Sequence, residues 1–323
     1  MYIYMYTISE YCKFIKEIYK SKGIYGIYQD GSKYVYESTL RQLSPILAKE
    51  TDYVLDKEWD VLIILDACRV DLLEEVAEEY DFIETPPHNT IWSADSYSEG
   101  WLEENFTGLK AQEHINKMNN LVHVSGNPFT EKVFNGDEFQ TLDEVWKYGW
   151  DNEAGYMPPE IITDRAISNH RNKQPQQMLV HYMQPHAPFI SDWDSDYKID
   201  LDTFSDSEES INKKTPWELL KYDEISNEEL WDAYKDTLHI VLQSVEKLLN
   251  NIDAENVIIS ADHGNAIGEW GIYGHPRKLQ TPVLRKVPWV STTAKDTGKY
   301  IPNEHNTENT SNINSQLEAL GYK

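Results

Sequence analysis

Acidic residues follow two apolar runs of this sequence, one of them ending in the small residues Ser260 and Ala261, where a buried strand would deliver side chains to a site. Asp262 and His263 follow residues 257–261 (VIISA), and Asp66 follows residues 61–65 (VLIIL). Carboxylate oxygens and imidazole nitrogens are both ligands for divalent cations. Because the carboxyl ends of parallel strands meet at one edge of a sheet, we expect these three side chains to share a metal ion.

A shared ion requires a turn between Asp262 and His263, because adjacent residues of a strand point to opposite faces. Gly264 follows directly and permits such a turn. A solvent-facing turn without chemistry is the structural alternative for these three residues alone. The second acidic strand end, at Asp66, favours a site with open metal positions for a substrate oxyanion and a nucleophile.

The apolar runs of the sequence predict an α/β fold. Further runs occur at residues 121–124, 178–182 and 287–290, and helices are predicted over residues 71–80 and 227–249. Five consecutive aliphatic residues suit a strand that is buried on both faces. We therefore predict a large, mainly parallel or mixed central sheet sandwiched by helices.

The length fits one catalytic domain with extensions, because 323 residues can form one large core. We predict a helical N-terminal extension over residues 1–50, a catalytic domain over 51–300 with a polar insertion at 191–214, and a tail with a short helix over 301–323. Tyrosines, isoleucines and lysines at helical spacing over residues 8–22 suit a helix that packs on the domain or contacts a membrane peripherally.

Charge and cysteine content exclude several classes of partner and site. With 29 basic and 55 acidic residues the formal net charge is −26, which would repel nucleic acid. A halophilic host would explain such a surface, since strong screening tolerates dense carboxylates.

Cys12 and Cys68 are too few for a disulfide framework, and Cys68 is expected to be buried. Without a membrane-length apolar run or a signal pattern, we expect a cytoplasmic protein.

Three motifs, in order along the chain, resemble those of the sulfatase-like branch of the alkaline phosphatase superfamily. They are residues 66–71 (DACRVD), 184–189 (QPHAPF) and 262–275 (DHGNAIGEWGIYGH). They are similar to that family's first-metal-ligand motif, its Pro-His-x-Pro-aromatic motif and its Asp-His-Gly loop. The resemblance covers roughly residues 55–295. It implies an alkaline phosphatase-like fold, one or two divalent metals, and hydrolysis or transfer at a phosphate or sulfate ester.

The resemblance also implies roles for single residues. Asp66 resembles the first-strand metal ligand, and Asp262 and His263 resemble the ligand pair after the late strand. Mn, Zn, Mg and Ca suit these donors about equally well. His186 resembles the histidine that contacts the anionic group of the substrate. His275 falls where relatives carry a Lys or His that assists the leaving group or the anion.

Other basic residues near the motifs are expected to support the fold. Arg69 is similar to the motif's arginine, and it is expected to brace the loop without touching substrate. Four histidines have no motif context and are interpreted as structural: His123, His170, His181 and His239.

The nucleophile is expected between the first motif and the next strand. Sulfatases oxidise a Cys or Ser within Cys/Ser-x-Pro-x-Arg to formylglycine, and no such pentapeptide occurs here. Phosphatase-like and transferase-like members use an unmodified Ser or Thr at a helix amino terminus. Residues 107–108 (TG) are similar to the end of the family's nucleophile helix, and counting back from them selects Ser98. Ser98 is equally suited to capping the helix, and Ser96, Ser93 and Thr90 are alternative nucleophiles.

The sequence therefore predicts a metal-dependent hydrolase of phosphate or sulfate esters that uses a serine nucleophile. Its substrate would be a small-molecule, glycan or lipid-linked ester, and nucleic acid is not an expected partner. A phosphoglycerol- or phosphoethanolamine-type transferase acting on glycan or lipid is one alternative. A non-catalytic metal-binding scaffold of the same fold is another.

Overall fold

The computed structural model describes residues 49–84, 89–151, 154–190 and 214–305, and five isolated helical positions before them: Lys16, Tyr36, Thr39, Leu40 and Ser44. The chain divides into two compact units, residues 1–48 and 49–323. Three predicted features lie outside the described residues. They are the amphipathic helix of residues 8–22 except Lys16, the insertion over residues 191–213, and the tail helix beyond residue 305.

Nine strands occur in the described ranges, and seven of them form one mixed sheet. In chain order they are β1 (Val61–Leu65), β2 (Thr90–Trp92), β3 (Leu121–Ser125), β4 (Thr141–Glu144), β5 (Gln177–Tyr182), β6 (Ala254–Ser260), β7 (Ala266–Ile267), β8 (Tyr273–Gly274) and β9 (Lys286–Ala294). The sheet order is β2-β9-β6-β1-β5-β3-β4, while β7 and β8 form a separate hairpin. Strands β6, β1, β5, β3 and β4 are parallel, so their carboxyl ends share one edge.

The α-helices of the described ranges pack on both faces of this sheet. They are α1 (Val70–Val76), α2 (Ser98–Phe106), α3 (Gly108–Glu113), α4 (Ile115–Met118), α5 (Thr130–Val133), α6 (Trp146–Gly149), α7 (Pro159–Lys173), α8 (Pro216–Lys221), α9 (Asn227–Leu249) and α10 (Pro282–Arg285). The predicted α/β architecture, a mixed central sheet between helices, is therefore confirmed.

Strand β1 shows why a central strand of this sheet consists of consecutive aliphatic residues. Val61, Ile63 and Leu65 belong to a buried cluster that includes side chains of α1, α7 and α9. Leu62 and Ile64 point to the opposite face and belong to a second cluster that includes side chains of α2. Burial of each such side chain stabilises the fold by about 1.5–3 kcal/mol, so both faces of the strand hold the sheet between the helices.

Most of the predicted elements are confirmed, and the exceptions are short or polar. The five predicted strands correspond to β1, β3, β5, β6 and β9, and the long helix α9 has the predicted ends. The helix predicted over residues 71–80 is shorter, because α1 ends at Val76 and a 3-10 turn follows over Ala77–Glu79. Strands β2 and β4 were not predicted, since each has only one buried residue. Among the described helices, none is both long and apolar enough to cross a membrane.

Candidate active site

Asp66 and Asp262 lie side by side at the carboxyl edge of the sheet. Strands β1 and β6 are parallel neighbours in which Ile64 is paired with Ser260, and each aspartate stands two residues beyond that pair. Both carboxylates are fully buried. Ala67 turns back with φ 61° and donates its N–H to Asp262 Oδ1 at 3.0 Å, which ties the two strand ends together.

His263 reaches the same point because the chain turns immediately after Asp262. The N–H of His263 donates to Asp262 Oδ1 at 2.9 Å. Its ring Nε2 then lies 3.7 Å from Asp66 Oδ1 and 3.6 Å from Asp262 Oδ2. Gly264 is needed here for space, because a Cβ at this position would overlap the carbonyl oxygen of Val283.

Ser98 presents its hydroxyl to this group from the first residue of helix α2. Its Oγ lies 3.2 Å from Asp66 Oδ2, to which it donates, and 3.4 Å from His263 Nε2. The helix cap is Tyr97, and no side chain forms a cap hydrogen bond there. The interpretation of Ser98 as an N-cap is therefore wrong, since its hydroxyl is directed toward the carboxylates.

The alternative hydroxyls have other partners in the structure. Ser93 donates to the main-chain oxygen of Asp262. Ser96 is fully buried, donates to the carbonyl oxygen of Pro276 at 3.0 Å and accepts from the N–H of Leu279 at 3.2 Å. Thr90 lies at the start of β2, at the opposite end of that strand from α2. Of these four residues, Ser98 is the one whose hydroxyl contacts the aspartate and histidine group.

His186 and His275 form a buried imidazole pair beside His263. Their Nε2 atoms are 2.9 Å apart, so one of the two carries the proton of this hydrogen bond. The rings of His275 and His263 lie 4.5 Å apart between centroids. Burial, and then the neighbouring imidazoles His263 and His186, hold the pKa of His275 well below its usual value. Burial lowers the pKa of His186 in the same direction.

The guanidinium of Arg69 makes its hydrogen bonds to Asp71 and to the loop after His263, so it braces that loop. It forms two hydrogen bonds with Asp71, at 2.8 and 2.6 Å. Its Nη1 also donates to the carbonyl oxygen of Asn265 at 2.8 Å and to Glu269 Oε1 at 2.7 Å. The guanidinium therefore connects the segment after Asp66 with the loop after His263. Cys68, close by, is buried as expected, and burial raises the pKa of its thiol.

His181 was interpreted as structural, but the structure places it in the aspartate group. It lies on β5 opposite Ile64 of β1. Its Nε2 is 3.5 Å from Asp66 Oδ2 and 3.7 Å from Asp262 Oδ2. A polar residue inside an otherwise apolar central strand was the available signal. Burial opposes ionisation of Asp66, but His181 and the nearby imidazoles outweigh it and lower the pKa of this carboxyl.

The atoms around this centre fit a divalent metal ion. Asp66 Oδ1, Asp262 Oδ2 and both ring nitrogens of His181 are buried without a hydrogen-bond partner in the described part of the chain. Ligands about 2.0–2.2 Å from a tetrahedral ion lie roughly 3.3–3.6 Å apart. The separations among the carboxylates, imidazoles and Ser98 range from 3.2 to 3.7 Å. Asn127, at the end of β3, steadies Asp66 through a 2.9 Å hydrogen bond from its Nδ2.

Comparison with solved structures finds proteins of low sequence identity. A protein of Bacteroides thetaiotaomicron described as a sulfatase aligns with a TM-score of 0.44 and 10% identity, over 82% of this chain and 71% of the other. The integral membrane protein lipooligosaccharide phosphoethanolamine transferase A of Neisseria meningitidis aligns with a TM-score of 0.48 and 14% identity, over 90% and 60%. The periplasmic domain of a Campylobacter jejuni phosphoethanolamine transferase gives 0.40 and 13%, over 84% and 92%.

Sequence comparison identifies the family directly. Among curated proteins, none shows significant similarity to this chain. The profile of the family called Sulfatase matches residues 88–322, which is more than half of the chain. The matched region contains Ser98, His186, Asp262, His263 and His275. The chain therefore belongs to the sulfatase family.

Proposed function

We propose that this protein is a metal-dependent hydrolase of phosphate monoesters or diesters that uses Ser98 as its nucleophile. The observation that carries the proposal is the Ser98 hydroxyl, 3.2 Å from Asp66 and 3.4 Å from His263 at the amino terminus of helix α2. A helix amino terminus favours negative charge, so it stabilises the oxygen as it loses its proton.

The segment around Ser98 supports phosphate over sulfate as the substrate. In the family's formylglycine motif a proline stands two residues after the modified residue and an arginine four residues after it. Those positions are Gly100 and the fully buried Leu102 here. A Cβ at Gly100 would lie 2.8 Å from the ring of Tyr97, so a proline does not fit. An unmodified serine suits phosphoryl transfer through a phosphoserine.

The metal would be held by the carboxylates of Asp66 and Asp262 and by the imidazole of His263. When bound, a divalent ion supplies Lewis-acid chemistry, because it lowers the pKa of a coordinated hydroxyl and polarises an ester oxygen. Asn127 and the N–H groups of Ala67 and His263 fix the two carboxylates, so their positions do not depend on the substrate. A preorganised group of this kind needs little rearrangement during reaction.

In the proposed reaction, the Ser98 hydroxyl gives its proton to Asp66 Oδ2, 3.2 Å away, and Ser98 Oγ bonds to phosphorus as the bond from phosphorus to the leaving oxygen breaks. His186 and His275 share one proton in the hydrogen bond between their Nε2 atoms, and when substrate binds the ring that carries this proton donates it in a hydrogen bond to an ester oxygen. His275 assists the leaving oxygen through a hydrogen bond, and that oxygen takes up its proton from solvent. Water then attacks the phosphoserine, which releases phosphate and restores the Ser98 hydroxyl.

Replacing Ser98 by alanine tests this assignment. We expect Ser98→Ala to reduce turnover of nitrophenyl phosphates at least about 1,000-fold, because the nucleophile is removed. Zinc binding should persist. The control is Thr90→Ala, which removes the alternative hydroxyl on β2 and should keep wild-type turnover. Mass spectrometry of the quenched wild-type enzyme should show one added phosphoryl group at Ser98. Full activity of Ser98→Ala would contradict the proposal.

The acceptor separates hydrolysis from transfer. A phosphoglycerol- or phosphoethanolamine-type transferase would form the same phosphoserine and pass the group to a hydroxyl in place of water. Phosphoethanolamine transferases are among the similar structures, and one is an integral membrane protein. Product analysis with glycerol or a glycan present distinguishes the two, because a hydrolase releases inorganic phosphate whichever alcohol is added.

A panel of nitrophenyl phosphate, phosphodiester and sulfate with Mn, Zn, Mg or Ca tests the remaining alternatives. Preferred turnover of the sulfate ester would identify a sulfatase that works without formylglycine. Metal binding without turnover of any ester would identify a scaffold.

A further inference from the structure

We infer that His181 is a fourth protein ligand of the metal and makes the site select zinc-like ions over Mg²⁺ and Ca²⁺. This inference rests on the proposed metal site and not on ester hydrolysis. No sequence motif marks the residue, and its role follows from where strand β5 places it.

The position of His181 is fixed by the sheet. Strand β5 is the parallel neighbour of β1, and His181 is paired with Ile64. Leu179, two residues earlier, packs in the same buried cluster as Ile64. Because alternate residues of a strand share a face, His181 lies on the same face of the sheet as Leu179 and Ile64. It is therefore close to Asp66, which directly follows β1. Trp101 of α2 packs edge-on against the imidazole, 5.7 Å away between centroids.

The ring of His181 lies where a ligand would lie, and it lies too far away for a hydrogen bond. Its Nε2 is 3.5 Å from one carboxylate and 3.7 Å from the other, beyond the usual length of an N–H···O hydrogen bond. Leaving a buried polar atom without a partner costs about 1–3 kcal/mol. Asp66 Oδ1, Asp262 Oδ2 and His181 all carry such atoms within the described residues. One ion between them would satisfy the oxygens and the imidazole together.

The alternative is that a protonated His181 serves as the counter-ion of the two carboxylates. The two explanations predict opposite effects on metal affinity. If His181 is a ligand, its removal weakens metal binding. If it is a cation that occupies the space between the carboxylates, its removal strengthens metal binding, because a competing positive charge is lost.

The second imidazole also changes the preferred metal. Two carboxylates with one imidazole suit Mg²⁺, Ca²⁺, Mn²⁺ and Zn²⁺ about equally. The Nε2 atoms of His181 and His263 each lie 3.5–3.7 Å from both carboxylates, so with both as ligands the donor set would have two nitrogens and two oxygens. Imidazole suits zinc, copper, iron and nickel, whereas Mg²⁺ and Ca²⁺ prefer oxygen. The site should therefore bind Zn²⁺ and Co²⁺ much more tightly than Mg²⁺ or Ca²⁺.

Metal titration of the full-length protein and its variants tests the inference. We expect His181→Ala to weaken Zn²⁺ binding by at least about 10–100-fold and to change Mg²⁺ binding much less. His181→Gln keeps the bulk of the side chain if the alanine variant does not fold. The matched control is His123→Phe on β3. His123 is also a buried histidine without hydrogen-bond partners in the described residues, and it packs against Phe139. That variant should keep wild-type zinc affinity.

X-ray absorption spectroscopy of the zinc-loaded wild-type protein needs no variant. Two imidazole ligands are expected, and a single imidazole would overturn the inference. Equal or tighter zinc binding by both His181 variants would also overturn it, in favour of the counter-ion. These readouts are independent of turnover. Zinc bound through two imidazoles in a protein without esterase activity would contradict the proposed function and support this inference.

Discussion

At the scale of single residues, Asp262 uses its two oxygens differently. Oδ1 accepts the N–H groups of Ala67 and His263, so it holds the two strand ends in their turns. Oδ2 has no hydrogen-bond partner in the described residues and faces the imidazoles of His181 and His263. One oxygen therefore shapes the backbone, and the other is free for a cation.

This division predicts different results for two substitutions of Asp262. In Asp262→Asn, the amide oxygen can still accept both main-chain hydrogen bonds, but the negative charge is lost. We expect this variant to fold, to bind zinc at least about 100-fold more weakly and to lose turnover. Asp262→Ala should in addition be less stable by about 1–3 kcal/mol, since two buried N–H groups lose their acceptor. Thermal unfolding and zinc titration measure the two effects, and normal activity of Asp262→Asn would exclude the proposed metal site.

Residues at the ends of strands could be found from the sequence, and a residue within a strand could not. Asp66 and Asp262 each follow an aliphatic run, and that position alone indicated a shared edge. His181 lies inside β5, and its approach to the aspartates depends on the pairing of β5 with β1. The alternation of residues along a strand predicts which face of the sheet a side chain lies on. Which residues of a neighbouring strand it lies beside depends on the register of the two strands, which the sequence does not specify.

At the scale of elements, the segment before α2 is fastened to the loop that carries His275. Ser96 contacts the main chain of this loop at Pro276 and at Leu279. Arg277 pairs with Glu99 at 2.8 Å. Ser98, the proposed nucleophile at the start of α2, and the imidazole of His275 are thereby held at a fixed separation.

Loss of the Ser96 hydroxyl should therefore act through His275. We expect Ser96→Ala to lower kcat about tenfold with little change in zinc affinity, because the loop is released on one side. In a His275→Ala background the same substitution should have almost no further effect, as expected for residues that work as a unit. Thr107→Ala, which removes an exposed hydroxyl at the far end of α2, is the control. Additive losses in the double variant would show that Ser96 acts independently of His275.

Elements were predictable where hydrophobic burial dominates. Strands β1 and β6 were found because each contains an uninterrupted run of buried residues, and helix α9 was found because its buried residues recur with the period of a helix. Strand β4 is half-buried and largely polar, so its sequence resembles a loop. It belongs to the sheet because it pairs in parallel with β3, on the side of β3 that is not paired with β5.

At the scale of the whole molecule, charge is the dominant property. The net charge of −26 produces a mutual repulsion that opposes the compact state. Several acidic side chains are paired, as Asp143 is with Arg165 and Asp296 is with Arg171. With 55 acidic and 29 basic residues, however, many carboxylates have no cation available.

Salt should therefore stabilise this protein. We expect the Tm to rise between dilute buffer and molar KCl. The Debye screening length falls to about 3 Å at 1 M salt, so the repulsion between carboxylates is weaker there. Each kcal/mol gained would raise the Tm by on the order of 2 °C. Differential scanning calorimetry over a KCl series measures the change, with sucrose as an uncharged control. A Tm independent of KCl would contradict a halophilic adaptation.

The hydrogen bond from Ala67 to Asp262 joins residues that lie 195 positions apart in the chain. Contacts over such separations form slowly, because a long stretch of chain must be ordered before they are made. During synthesis Asp66 emerges well before its partners, and the sheet edge cannot be completed until β6 is available. We therefore expect metal capture at the proposed site to be a late event in the maturation of this protein, and an incomplete chain that ends before residue 262 should be unable to retain zinc at this position.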